Sequence, residues 1–132
     1  FGRPITKADE KERKLGKEGI LGLGYQMGWS KFQQRCALVG VVIDDEVAQQ
    51  VVIAYREKYA TIKQLWYDQE DAALSAVRNK GRVVTSGRVA WSVVGRFLYA
   101  TLPSGRRLAY PAPRIDARTT PWGAEKASLT YM

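Results

Sequence analysis

From Ala48 to Ala76, apolar side chains recur at alternating intervals of four and three: Ala48, Val52, Tyr55, Tyr59, Ile62, Trp66, Ala73 and Ala76, with Gln69 as the polar interruption. That period gathers them on one face of an amphipathic helix. Asp44 supplies an N-cap, Asp45 and Glu46 put negative charge in the first turn, and Asn79 to Gly81 supply a stop. The spacing predicts one unbroken helix over 45–78, about 50 Å long at about 1.5 Å per residue. A nearly heptad stripe also fits a coiled-coil seam, through which a purely structural protein would dimerise.

Upstream, Thr6 followed three residues later by Asp9 is a capping-box-like start, and the run to Met27 reads as a helix ended by Gly28. Trp29, Phe32, Cys36 and Val39 then mark a shorter helix over about 30–39 that Gly40 stops. Beyond Gly81, β-branched and aromatic residues stand between glycines in RVVTS, GRVAWSV, GRFLYATL and GRRLAYP. These strings predict strands joined by turns at Ser86-Gly87, Val94-Gly95 and Pro103-Ser104-Gly105. Residues 111–126, punctuated by Pro111, Pro113 and Pro121, read as irregular, and SLTYM as the start of another strand. The expected fold is α+β in a single domain-sized stretch of 132 residues, helical over 1–80 and built of antiparallel β-hairpins over 81–132.

Charge adds a direction to this outline. The chain carries 21 Lys and Arg against 13 Asp and Glu, a net charge of +8 that favours polyanionic partners. Residues 1–40 hold eight basic and four acidic residues, 41–77 three and seven, and 78–118 nine and one. The last segment is expected to contact DNA phosphates, with Arg82, Arg88, Arg96, Arg106 and Arg107 as candidates. Histidine is absent, which removes Ser-His and Cys-His catalysis and the usual zinc ligand. Cys36 is the single cysteine and reads as a buried, inert thiol. Asp44, Asp45, Asp68 and Asp71 fall at a helix start and on a solvated face, so no catalytic and no metal-ligating residue is assigned. No apolar run approaches the ~20 residues of a membrane span, and FGRPITK lacks the order of a signal peptide, so a soluble intracellular protein is expected.

Within the first helix, Arg13, Lys17, Leu21 and Tyr25 are spaced by four, each step advancing about 40° around the axis and about 6 Å along it. The resulting stripe runs from two cations through an apolar side chain to a ring with a hydroxyl. That order suits a nucleoside triphosphate, phosphates at one end and base at the other. Gly16, Gly19, Gly22 and Gly24 lie in the same helix at a cost of about 1 kcal/mol each relative to alanine. Either a sugar or base approaches closely at Gly22 and Gly24, or another helix does.

ERKLGKEGILGLGYQMG resembles the fingers-helix signature of family A DNA polymerases, and LPSGRRLAYP resembles the Gly-Arg-rich hairpin that follows the long fingers helix there. The fuller string FLYATLPSGRRLAYPAPRI, with TPWG and SLTYM, is similar to the polymerases of bacteriophages and prophages, so the resemblance covers essentially the whole chain. It implies that Arg13 and Lys17 hold the triphosphate of an incoming deoxynucleotide, that Gly22 belongs to the motif, and that Tyr25 lies by the templating base. Leu21 departs from the family, which has Phe or Tyr there, stacking on the base and influencing sugar discrimination. The two palm aspartates that bind two Mg²⁺ ions in this family lie in motifs that this sequence does not contain. The resemblance therefore implies a part of a polymerase of the bacterial cytoplasm, inactive alone, whose partners are deoxynucleoside triphosphates, primer-template DNA and the rest of the polymerase chain. A non-enzymatic basic nucleic-acid-binding module is the alternative; it accounts for the charge but not for the stripe.

Overall fold

A computed structural model describes residues Phe1–Met132. Four helices precede six strands: α1 (Glu10–Leu23), α2 (Trp29–Leu38), α3 (Asp45–Lys58), α4 (Ala60–Arg78), then β1 (Val84–Ser86), β2 (Val89–Val94), β3 (Phe97–Thr101), β4 (Arg107–Pro111), β5 (Arg114–Thr119) and β6 (Glu125–Thr130). The fold is α+β, as the change of period at Gly81 predicts. The chain divides into two compact units, Phe1–Gln64 and Leu65–Met132, so most of α4 is grouped with the strands.

In the first unit, Leu15 and Leu23 of α1, Phe32 and Cys36 of α2, Val41, and Ala48 and Val52 of α3 form the core. Burying Phe32 and Leu23 alone contributes about 1.5–3 kcal/mol each. The turn after α2 shows how the local sequence shapes this core. Gly40, at φ 81°, lets the Val41 N–H reach the Cys36 carbonyl at 2.9 Å and the Gly40 N–H reach the Ala37 carbonyl at 3.0 Å. This is the Schellman pattern, and it drops Val41 into the core at 1% exposure. Asp44 then caps α3, its Oδ1 accepting from the Val47 N–H at 2.8 Å.

Two helix expectations need correction. The single helix over 45–78 is interrupted at Tyr59 (φ −113°, ψ 47°), separating α3 from α4. The apolar stripe is shared between two cores: Ala48 and Val52 join the first, Ala73 and Ala76 the second. Those positions are satisfied within the chain, which removes them from a dimer seam. The first helix also ends at Leu23 rather than near Met27. Tyr25 and Gln26 donate to the carbonyls of Gly22 and Leu23, three residues back, and Gln26 turns to φ 60°. That reversal brings Met27 back over α1, a tertiary contact that helical periodicity does not contain.

In the second unit, β1 to β4 form an antiparallel sheet in sequence order, and β5 and β6 pair as a separate ribbon. The 111–126 stretch is thus strand over Arg114–Thr119, not irregular; RIDART alternates Ile115 and Ala117 with charged residues, a pattern too short between the prolines to stand out, and it pairs with β6. Ser86 pairs with Val89 and Val94 with Phe97, so both early turns have two-residue loops, Gly87-Arg88 and Gly95-Arg96. Each opens on a glycine at positive φ, 57° and 58°, as a hairpin turn with glycine first requires. Pro103-Ser104-Gly105 closes the third hairpin, with Gly105 at φ 83°.

The register assigns the two faces of the sheet. Val84, Trp91, Val93, Leu98, Ala100 and Tyr110 share one face, and five of these join Ala73, Ala76, Val77, Ile115 and Leu129 in or against the second core. Gln69, the polar break in the α4 stripe, holds helix and sheet together. Its Nε2 donates to the Ser86 carbonyl and hydroxyl, both at 3.1 Å, and its Oε1 accepts from Trp91 Nε1 at 2.8 Å. Gln69→Leu would keep the stripe apolar but strand the half-buried indole N–H. It should lower the unfolding free energy by about 1–3 kcal/mol in urea titration, despite the greater hydrophobicity.

Candidate functional site

The start of α1 is set by its own polar residues. The Asp9 carboxylate accepts from the Thr6 N–H at 2.8 Å and the Thr6 hydroxyl at 2.9 Å, and Arg3 donates to it at 2.8 Å. These contacts, Arg3 foremost, hold the Asp9 carboxyl down to about 2. Glu10 pairs with Lys14 at 2.7 Å. The acidic side chains of the first turns are thereby neutralised by Arg3 and Lys14, while Arg13 and Lys17 form no ion pair.

The rotation of α1 that buries Leu15 and Leu23 also takes one charge inside. Glu18 is 7% exposed and pairs with the Arg35 guanidinium from α2. Gly22 lies close by: a Cβ there would sit 3.3 Å from Met27 Sδ, a tight approach, and 3.7 Å from Arg35 Cδ, an ordinary contact. Gly24 is close-packed too, its Cβ position 3.3 Å from the Tyr55 hydroxyl. Of the two roles open to these glycines, the structure shows close internal packing. Beside the pair, burial and the Glu18 charge push the Cys36 thiol up, against a smaller opposing effect of Arg35. The thiolate is disfavoured, and Cys36 is fully buried.

With Leu15, Glu18, Gly19, Gly22 and Leu23 facing inward, Arg13, Lys17 and Leu21 come to lie on the outer face. Leu21 is 47% exposed, and Tyr25, in the turn beyond the helix, is 87% exposed. The two cations and Leu21 form a continuous stripe of about 12 Å along the axis, and Tyr25 extends from its apolar end. Gly22 is the one residue of the five that is buried, on the opposite side of the helix from the stripe. Alongside runs an apolar cleft of ≈ 400 Å³ with Ile20, Leu23, Val51, Tyr55 and Tyr59 among its walls. Ile20 borders both surfaces. The sequence reading did not identify this cleft, although Tyr55 and Tyr59 stand one helical turn apart in the stripe used to predict the helix.

The five arginines assigned to DNA are all exposed but do not form one track. The turns place Arg88, Arg106 and Arg107 at one end of the sheet, and Arg96 at the other, with Arg82 just ahead of β1 toward that same end. The ends are about 20 Å apart along β2. No group of three or more Cys, Asp or Glu side chains comes together in a way that could hold a metal ion. No helix is long and apolar enough to cross a membrane.

Two outcomes follow for the frame of this site. Arg35→Ala leaves the Glu18 carboxylate buried without its partner; because Arg35 itself is half exposed, the expected loss is about 1–3 kcal/mol by chemical denaturation. Asp9 stabilises the α1 start fully above its ordinary value of 3.8, and that contribution disappears as pH falls through about 2. A carboxyl titration followed by NMR should give the low midpoint, and Arg3→Ala should move it upward.

The chain is 36% identical over 112 residues to a DNA polymerase of Bacillus phage SP02, a match covering 85% of this chain and 17% of that protein. No family model matches the chain, and no solved structure matches it. Its similarity is to one segment of a phage DNA polymerase.

Proposed function

We propose that this chain is the nucleotide-positioning part of a template-directed DNA polymerase of family A, of phage or prophage type, and that α1 is its fingers helix. The observation that carries this reading is the unpaired, outward-facing stripe of Arg13, Lys17 and Leu21, leading to exposed Tyr25. Similarity to a segment of a phage polymerase over 85% of the chain supports it.

In this reading Arg13 and Lys17 neutralise the triphosphate of an incoming deoxynucleotide, Arg13 through its planar fork and Lys17 as a point charge. Leu21 meets the base or sugar by apolar contact, without the stacking that an aromatic ring would supply. Tyr25 stands at the end where the templating base would lie. Gly22 serves indirectly, by letting Met27 pack closely on the buried side of α1, opposite the stripe. Closing such a helix onto a matched pair would complete the site only when pairing is right. Primer-template DNA would lie against the arginines of the β-hairpins.

The residues present do not form a two-metal centre. Asp44 is engaged as a helix cap and Asp45 accepts from Gln33 at 2.8 Å. Two Mg²⁺ ions would belong to carboxylates in the rest of the polymerase chain. The 132-residue chain should therefore extend no primer at any Mg²⁺ concentration when assayed with all four nucleotides. In the intact polymerase, Arg13→Ala and Lys17→Ala should each weaken nucleotide binding about 10- to 100-fold, the loss of one charge-assisted contact, with DNA affinity little changed. Single-nucleotide incorporation kinetics test this, and wild-type behaviour in both variants would overturn the assignment.

A further inference from the structure

The side of the four-stranded sheet that turns away from its core carries a second organised surface. The register places Ser92, Val94, Phe97, Tyr99, Thr101, Arg107 and Ala109 there. Phe97 and Tyr99, two apart on β3, have ring centroids 5.9 Å apart and planes 32° apart. The Arg107 guanidinium lies over the Tyr99 ring, 5.3 Å from its centroid. Beyond Phe97, at the other end, Arg96 and Phe97 border a concavity of ≈ 280 Å³ with Pro111, Ala112 and Met132. The order along the surface is cation, ring, ring, cation.

Its neighbours keep it accessible. Tyr99 is half-buried: Ser92 on β2 and Ala109 on β4 are too short to cover its ring, and what lies over it is the Arg107 guanidinium, itself exposed. Phe97 is 39% exposed and Val94 58%. An exposed Phe97 beside a half-buried Tyr99, on the free face of a sheet whose other face already supplies the core, marks a contact surface. Charge identifies the partner: within 78–118 the lone acid is Asp116, on β5, where it accepts from the Thr130 hydroxyl.

We infer that this face is a stacking platform for single-stranded DNA, with Phe97 and Tyr99 taking unpaired bases and Arg107 and Arg96 meeting the flanking phosphates. The inference rests on the proposal that the hairpin region contacts DNA, and it goes further by requiring unpaired bases. A duplex keeps its bases stacked on one another and offers phosphates only, whereas an unpaired strand offers a π-face at every base. In a template-directed enzyme the occupant would be template not yet copied.

The test uses the 132-residue chain, with anisotropy of labelled oligo(dT) and of a labelled duplex measured at two salt concentrations. Phe97→Leu and Tyr99→Leu should each weaken oligo(dT) binding about tenfold, the usual effect of removing one stacking ring, and leave duplex binding and the salt slope unchanged. Tyr99→Phe should bind as wild type. Ala109→Glu, which puts a like-phosphate charge on the platform without touching the core, should abolish oligo(dT) binding and keeps the test decisive if a leucine variant does not fold. Unchanged oligo(dT) binding in the folded variants, or an equal loss on duplex, would overturn the platform while leaving general DNA contact standing. Binding to neither nucleic acid at low salt would overturn the DNA-contact proposal and the platform with it.

Discussion

A carboxylate that leaves water needs a partner at close range, and in the first unit this requirement arranges everything around α1. Glu18 is turned into the interior, so a cation has to reach it, and the one that does is Arg35 from the neighbouring helix. Its stem passes Gly22 at ordinary contact distance, and the tight neighbour of that glycine is Met27, folded back over α1. Once Glu18 points inward, the geometry of a 3.6-residue turn sends Arg13, Lys17 and Leu21 outward. The chemistry available on the exposed side of α1 is thus a consequence of the polar contact on its hidden side.

Much of the fold was legible because its determinants are local. The Asp44 cap, the Gly40 stop and the three glycine turns each depend on a few adjacent residues whose backbone preferences admit few alternatives. The parts that escaped are those decided by distant partners. A stripe from Ala48 to Ala76 says that one face is buried, not that two cores divide it, so the break at Tyr59 was invisible. The early end of α1 depends on Met27 folding back, and Gln69 looked like a flaw until Ser86 and Trp91 were placed beside it. In the candidate site, spacing was enough to align Arg13, Lys17 and Leu21 on a helix surface. Which side of Gly22 would stay open was not, because that depends on Met27 and on the core residues of α2 and α3.

The arginines of the hairpins illustrate how turn chemistry distributes charge. A two-residue loop that opens on glycine puts its second residue at the tip, and in Gly87-Arg88 and Gly95-Arg96 that residue is arginine. Successive turns of an antiparallel meander alternate between ends of the sheet. A basic segment that is continuous in sequence therefore becomes two separated clusters in space, with the aromatic face between them. The linear charge count predicts attraction to phosphate but not this spacing.

The plain neighbour-to-neighbour order of β1 to β4 has a kinetic meaning as well. Every strand of that sheet pairs only with the strand before or after it in the chain, so no long loop must close before a ladder forms. Loop closure is the entropic hurdle that slows β-rich folds, and here each hurdle is a turn of two or three residues. The sheet can zip from any of its hairpins as the chain emerges from the ribosome. Such a sheet would reach its native pairing early, before slower, long-range contacts compete for its exposed strands.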